Sequence, residues 1–177
     1  ETGLWLYLLY PFSLIFSYLT SRRRRKFIKN KMTAYASEIP IIVVGNLTIG
    51  GTGKTPLVKY IATELSNKGY KPGIVSRGYG GRFKETLRVT DQTSVKETGD
   101  EAQILAKLNF PFYIDKNRVR AVKNLVSNHD CDIIISDDGL QHYAMGRDIE
   151  IAVIDGHNRL GNGSVSYTHL RAHETRH

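Results

Sequence analysis

The sequence has 177 residues, 41% of them hydrophobic, so a single domain with a packed core is expected. The formal net charge is +8, but residues 1–35 hold seven Lys or Arg and one Glu and account for +6 of it. A nucleic-acid-binding protein would more often spread basic residues over its folded domain, so we expect no nucleic-acid partner. The single cysteine, Cys131, excludes an internal disulfide and a cysteine-rich zinc site, and is expected to be a core thiol in a reducing compartment.

The N-terminal segment has the pattern of a membrane-associating segment. Thr2–Ser21 contains no charged residue, is rich in aromatic and aliphatic side chains, and is followed at once by the basic run Arg22–Lys26. A secretory signal peptide carries its positive charge before the apolar region, whereas here the charge comes after it. Pro11 would kink a spanning helix. We therefore expect residues 1–35 to form a shallow hydrophobic helix whose basic end contacts anionic lipids, in preference to a single membrane span or a soluble core helix.

The segment Ile39–Thr55, IPIIVVGNLTIGGTGKT, has the order strand, glycine-rich turn and helix start. In such a turn, backbone N–H groups converge on phosphate oxygens, and the following lysine and hydroxyl residue bind phosphate and Mg²⁺. The strict G-x-x-x-x-G-K-[ST] pattern would require glycine at Thr48, and an ordinary glycine-rich turn is the alternative interpretation. The predicted phosphate-binding residues are Thr48, Gly50, Gly51, Thr52, Gly53, Lys54 and Thr55.

Further strands and helices alternate along the rest of the chain. Strands are predicted at Lys71–Ser76, Leu87–Thr90 (near an edge), Phe112–Ile114, Ile133–Ile135 and Ile149–Ile154, the last two fully buried. Helices are predicted after Lys54, from Gly99, and from a cap at Asp115. This alternation predicts an α/β fold with a mostly parallel sheet and helices on both faces. Ligands of such sheets bind at the carboxyl ends of the strands.

Asp137 and Asp138 follow the buried run Ile133–Ile135 and Ser136. Adjacent carboxylates at a strand end suit Mg²⁺ opposite a phosphate loop, with the Thr55 hydroxyl as a further ligand. A polar strand terminus without a metal is the alternative. Asp138 is the better candidate for contact with the metal region.

Several other polar residues are candidates for the same cleft. Asp100 follows Gly99 at a predicted helix start, where it is either an N-cap or a functional carboxylate. Gln141 and His142 follow the acidic pair closely enough to reach the cleft, although a lone histidine is more often structural. Arg77, in the glycine-rich SRGYGG loop, is a candidate for binding phosphate.

Four motifs, VVGNLTIGGTGKTP, IVSRGYGG, GDEAQILA and SDDGLQH, together resemble the tetraacyldisaccharide 4′-kinase family over Ile39–Gly163. The resemblance implies a P-loop NTPase-like fold, with ATP and Mg²⁺ as cofactors. The implied activity is transfer of the ATP γ-phosphate to the 4′-hydroxyl of a tetraacyldisaccharide 1-phosphate lipid A precursor. The implied location is the cytoplasmic face of the inner membrane, and the oligomeric state stays open.

Carried over residue by residue, the resemblance assigns Thr52, Gly53, Lys54 and Thr55 to the phosphate loop. It assigns Asp100 in the GDE motif as general base, and Asp137 and Asp138 as the acidic pair near Mg²⁺. Lys54, Asp100 and Asp138 are the expected catalytic residues. Arg77, Gln141 and His142 are the expected substrate-binding residues.

Members of this family are longer and carry a second domain, whereas Ser164–His177 matches nothing expected after the GNG motif ending at Gly163. We therefore expect a membrane-associating segment at residues 1–35, a truncated kinase domain at 36–163, and a non-native tail at 164–177. We expect such a fragment to be incomplete for full activity.

Two other functions stay open at this point. A nucleotide switch or metallochaperone GTPase has a similar loop, but no N-K-x-D guanine-reading segment is present, and Asp115-Lys116-Asn117 has the letters in the wrong order. A non-catalytic, membrane-anchored nucleotide-binding module is the second alternative.

Overall fold

The structure, a computed structural model, describes residues 18, 35–46, 53–140, 142 and 144–154. The elements in chain order are β1 (Ile41–Asn46), α1 (Lys54–Asn67), β2 (Pro72–Ser76), β3 (Leu87–Arg88), α2 (Val95–Thr98), α3 (Asp100–Ala106), β4 (Phe112–Ile114), α4 (Arg118–Asn128), β5 (Ile133–Asp137) and β6 (Ile149–Val153). The predicted N-terminal hydrophobic helix and the predicted tail at 164–177 lie outside the described residues. In the part of the chain that is described, no helix has the length and apolar character needed to span a membrane.

The six strands form one sheet in the order β3-β4-β2-β5-β1-β6. All neighbouring pairs are parallel except β3 with β4, so the predicted mostly parallel sheet is confirmed. Strand β5 lies between β1 and β2, and its register pairs Val44 of β1 with Asp137. The carboxyl ends of β1 and β5 are therefore neighbours. This is the point at which the phosphate loop was predicted to meet the acidic pair.

Helices cover both faces of the sheet, as predicted. On one face, α1 and α3 bury Val58, Ala62, Ala102 and Leu105 against the strands. On the other face, α4 buries Ala121, Val122 and Leu125. Both faces of β1 are therefore dry, and its residues Val43 and Val44 have no exposed surface. Such two-sided burial explains why this strand is a continuous apolar run and not an alternating one.

Two local predictions are wrong. Ile149–Ile154 was expected to be a fully buried strand, but Ile149 is 51% exposed and Ile154 is 48% exposed. The reason is position, because β6 is the last strand in the sheet order. Asp115 was expected to cap α4, but Asn117 is the cap, and its side chain accepts a hydrogen bond from Arg120 N at 3.3 Å.

Asp115 is instead a buried carboxylate that joins the edge strand to the start of α4. It accepts hydrogen bonds from the Thr86 hydroxyl, from the Arg120 guanidinium and from Asn117 N. These donors hold the pKa of Asp115 below its usual range, against the opposing effect of burial. The predicted core thiol, Cys131, is buried and free.

The chain approaches β1 along the loop that follows β5. Tyr35 N donates to Ala144 O at 2.9 Å, and Gly146 N donates to Tyr35 O at 2.8 Å. Tyr35 thereby forms a parallel bridge with Met145. At the first residue of β1, two hydrogen bonds join Ile41 to Asp148: Ile41 N donates to the Asp148 carboxylate, and Asp148 N donates to Ile41 O.

Candidate phosphate-binding and catalytic site

The candidate site is centred on an ion pair between the start of α1 and the end of β5. Lys54 Nζ lies 2.9 Å from Asp138 Oδ1, although the two residues are 84 positions apart in the sequence. Gly53, immediately before α1, has φ +78°, a left-handed conformation that suits glycine. The structure thus brings together two of the predicted motifs, the GKT helix start and the acidic pair.

Asp137 is the more buried member of the acidic pair, with 2% of its surface exposed. Loss of hydration raises its pKa to about 6; the positive charge of Lys54 opposes this rise, whereas the carboxylates of Asp138 and Glu101 add to it. Among the described residues, Asp137 Oδ1 has no hydrogen-bond partner. A buried carboxylate oxygen without a hydrogen-bond donor is stabilised by binding a cation or a proton.

The donor set fits Mg²⁺. Thr55, the second residue of α1, is buried and directly follows Lys54, and it carries a hydroxyl oxygen. Within the described residues, no group of three or more Asp, Glu, His or Cys side chains is arranged to hold a metal alone. This is compatible with Mg²⁺, which prefers one or two carboxylates together with waters and phosphate oxygens.

Arg118 is a site residue that sequence reasoning missed. Its guanidinium is buried and donates to Asp115 O at 2.7 Å, to Asp137 O at 3.2 Å and to Asp138 O at 3.3 Å. Burial lowers its pKa to about 10, while the charges of Asp138 and Asp137 oppose that fall. The contacts with Asp137 O and Asp138 O fix the backbone at the end of β5, where Asp138 has φ +55°. An arginine in the first turn of a helix gives no sequence signal for such a role.

The SRGYGG and GDE motifs pack backbone against backbone. A Cβ added to Gly99 would lie 2.1 Å from Tyr79 O, and one added to Gly81 would lie 2.3 Å from Glu97 O. Arg82 N also donates to Lys96 O at 3.1 Å. Glycine is therefore required on both sides of this contact, which fixes the turn immediately before Asp100.

Asp100 is the first residue of α3 and is exposed. The N-cap alternative for Asp100 is wrong, because Gly99 is the cap and no side chain caps this helix. Its carboxylate is therefore not occupied in holding the helix end. Glu101, the next residue, lies near enough to Asp137 for its charge to raise the pKa of that carboxyl.

The remaining predicted residues are placed less fully. Arg77 is exposed and lies close enough to Arg118 to lower the pKa of that guanidinium. His142 is half-buried in the loop after β5, where its backbone N donates to Gly139 O at 3.0 Å. Thr48, Gly50, Gly51, Thr52 and Gln141 lie outside the described residues. The roles assigned to all these residues stay predictions.

The mostly parallel sheet, the GKT helix start after its interior strand β1 and the acidic pair on the neighbouring strand β5 together define the class of P-loop nucleotide-binding proteins. Comparison with known proteins gives the family. The family model for tetraacyldisaccharide-1-P 4′-kinase matches residues 5–166, and the chain belongs to that family. The family resemblance found in the sequence is thus confirmed.

Curated relatives agree with this assignment. The tetraacyldisaccharide 4′-kinase of Shewanella sediminis is 45% identical over 159 residues, covering 89% of this chain and 47% of the relative. The enzyme of the same name from Coxiella burnetii (strain RSA 331 / Henzerling II) is 46% identical over 160 residues, covering 88% of this chain and 48% of the relative. The chain therefore spans about half the length of the curated relatives it matches.

A solved structure is also similar. It is the crystal structure of LpxK from Aquifex aeolicus in complex with ATP, with a TM-score of 0.74 and 33% sequence identity. The match covers 81% of this chain and 47% of that one. The fold described above is therefore similar to about half of an LpxK structure that was solved with ATP.

Proposed function

We propose that the chain carries the nucleotide-binding and catalytic groups of an ATP-dependent kinase. This kinase transfers the γ-phosphate of ATP to the 4′-hydroxyl of a tetraacyldisaccharide 1-phosphate precursor of lipid A. The observation that carries the proposal is the ion pair between Lys54 Nζ and Asp138 Oδ1, because it joins the phosphate-loop helix to the acidic strand end. Family membership and the ATP-bound structural relative support it.

The phosphate end of the nucleotide would bind where α1 begins. Free backbone N–H groups and the helix dipole favour anions at a helix N-terminus, and α1 is 14 residues long. Lys54 is held in place by Asp138 and has 17% of its side chain exposed, so its ammonium is positioned for phosphate oxygens before the ligand arrives. Thr55, Asp137 and Asp138 would hold Mg²⁺, which when bound supplies positive charge to the phosphates.

Asp100 would act as the general base. It accepts the proton of the 4′-hydroxyl while that oxygen forms a bond to the γ-phosphorus, and the bond from the γ-phosphorus to the β–γ bridging oxygen breaks, releasing ADP. A base in this role typically contributes about 10²–10⁴-fold to the rate. The exposed position of Asp100, beside the rigid contact of Gly99 with Tyr79, suits a group that must meet an incoming acceptor.

The acceptor is acylated, which determines where the enzyme has to work. Moving each acyl CH₂ into water costs about 0.8 kcal/mol, so a substrate with four acyl chains stays in the bilayer. We propose that residues 1–35 dock the protein on anionic lipids at the cytoplasmic face of the inner membrane. The uncharged run Thr2–Ser21 and the basic run Arg22–Lys26 support this part of the proposal.

The test is a phosphate-transfer assay on the complete gene product, with γ-labelled ATP or GTP and the lipid acceptor in mixed micelles. Transfer is expected with ATP and not with GTP. Lys54→Ala should lower transfer by about 10²–10³-fold, the usual cost of removing one donor to developing charge. Lys59→Ala, on the exposed side of α1, is the matched control and should be neutral.

Each alternative function predicts a different result in this assay. Equal or preferred use of GTP would support a nucleotide switch of the GTPase class. ATP binding without transfer to any lipid acceptor would support a non-catalytic module. Undiminished transfer by Lys54→Ala would contradict the assignment of the phosphate loop.

A further inference from the structure

A second arginine, Arg147, contacts the loop that carries the acidic pair into β6. We call the described residues between Asp137 and Arg147, which are 138–140, 142 and 144–146, the acidic loop. The Arg147 side chain is 13% exposed. Its Nη1 donates to Leu140 O at 3.2 Å and its Nη2 donates to His142 O at 2.9 Å, so one planar group holds two carbonyls of the loop. Nη1 also pairs with Glu150 Oε1 at 2.7 Å.

The acidic loop is thus held from two sides. Arg118 binds the carbonyls of Asp137 and Asp138 from α4, and Arg147 binds those of Leu140 and His142 from a position two residues before β6. The ladder of β5 ends at Asp137, so beyond it the carbonyls need partners other than strand neighbours. Two guanidinium groups supply them.

The position of the acidic loop also bears on the strand that leads into the phosphate loop. A Cβ added to Gly45 of β1 would lie 2.6 Å from Leu140 Cγ, so the Leu140 side chain lies directly against the strand. Gly139 N in turn donates to Val44 O at 3.4 Å. A shift of the acidic loop would therefore displace residues at the end of β1 as well as Asp138.

Arg147 is also anchored at its own position. The adjacent Asp148 accepts a hydrogen bond from Ile41 N at 2.8 Å and donates its N–H to Ile41 O at 3.0 Å. The backbone that carries Arg147 is therefore tied to the first residue of β1. Arg147 thus links the backbone held at Ile41, the first residue of β1, to the acidic loop, which packs against Gly45 near the last residue of β1.

We propose that Arg147 is a positioning residue for phosphoryl transfer: it fixes the acidic loop so that Asp138 keeps its place beside Lys54 and Leu140 keeps its place against the end of β1. The inference rests on the proposed function. This role can be told apart from a purely stabilising one. Positioning depends on the planar guanidinium that binds two carbonyls at once, and it does not depend on the positive charge alone or on the ion pair with Glu150. Arg147→Lys keeps the charge but lacks the planar fork.

The experiment compares Arg147→Lys with two controls in the complete gene product. Glu150→Gln removes the ion pair and leaves both carbonyl contacts. Lys71→Met removes a surface ion pair with Asp130, near the amino end of β2, and serves as a stability control. Each variant is measured for kcat and KM with ATP and lipid acceptor, for its thermal midpoint, and for hydrogen exchange at the backbone amides of His142 and Met145. These amides donate to Gly139 O and His142 O within the loop.

Arg147→Lys is expected to lower kcat roughly 10- to 100-fold, the scale of a ~1 Å misplacement, with a smaller change in KM for ATP. Exchange at the two amides should rise in this variant and not in Glu150→Gln or Lys71→Met. The inference would be overturned if Arg147→Lys left kcat unchanged. It would also be overturned if a control variant with the same thermal midpoint lost as much kcat as Arg147→Lys does. If the unsubstituted protein transfers no phosphate, the proposed function fails, and the exchange data still decide whether Arg147 holds the loop.

Discussion

The substitution Asp137→Asn tests the electrostatics at the centre of the site. Asp137 is almost fully buried, and loss of hydration raises its pKa from 3.8 to about 6. The folded protein therefore binds the proton more tightly than the unfolded chain does. The stabilisation from this proton is fully present below pH 3.8 and is lost as the pH rises through about 6.

The expected size follows from the pKa difference. A rise of about two units corresponds to about 3 kcal/mol between the two protonation states. Asparagine has nearly the same shape as aspartate and does not ionise. The variant therefore does not bear the free-energy cost of burying a negative charge at neutral pH. Without nucleotide or Mg²⁺, Asp137→Asn should therefore raise the free energy of unfolding at pH 7.5 by up to about 3 kcal/mol, and change it little at pH 4.

Urea unfolding at pH 4 and at pH 7.5 measures this difference, with Asp91→Asn in an exposed turn as the control. Added Mg²⁺ with ATP should stabilise the unsubstituted protein more than the variant, because the carboxylate is the form that binds a cation. The reasoning is refuted if the stability difference between protein and variant is equal at the two pH values, or if the variant is less stable at pH 7.5.

The remaining predictions concern the turn before α3. Asp100→Asn should lower kcat by about 10²–10⁴-fold in steady-state transfer assays while leaving ATP affinity and the thermal midpoint nearly unchanged. A fall in the thermal midpoint alone would mean that Asp100 is structural. Gly99→Ala should destabilise by more than about 2 kcal/mol in urea unfolding, because φ +83° with ψ 162° suits only glycine and the new methyl group would meet Tyr79 O. Gly80→Ala, with φ +79° and open space around it, carries the backbone strain alone and should cost less; an equal cost would show that the Tyr79 contact is unimportant.

Much of the fold could be predicted because it follows from local pattern. Continuous apolar runs at Ile41–Val44 and Ile133–Ile135 identify strands that are buried on both faces. Polar residues after each run must then lie at the carboxyl edge of a parallel sheet. The sequence does not reveal strand order, so the direct adjacency of β1 and β5 required the structure. The exposure of β6 was missed for the same reason, since an apolar run does not show whether its strand is at an edge.

The two arginines of the site could not be found from sequence. Arginine is usually exposed, and both Arg118 and Arg147 are followed by ordinary segments of helix or strand. Their burial depends on carbonyl groups up to 20 positions away, such as Asp138 O for Arg118. Similarly, Asp115 was expected to be a helix cap because capping is a local rule, whereas its partner Thr86 comes from a distant part of the chain.

The bridge at Tyr35 determines how mechanical force would travel through the molecule. Five residues, 36–40, separate it from β1, and two hydrogen bonds join it to the backbone at Ala144 and Gly146. A force applied at Tyr35 therefore acts directly on the acidic loop, and it acts on β1 only through residues 36–40. Two such bonds are worth about 1–3 kcal/mol in total, far less than a strand paired on both sides, so they would yield first. A pull on Tyr35 would thus loosen the acidic loop while the sheet stays intact.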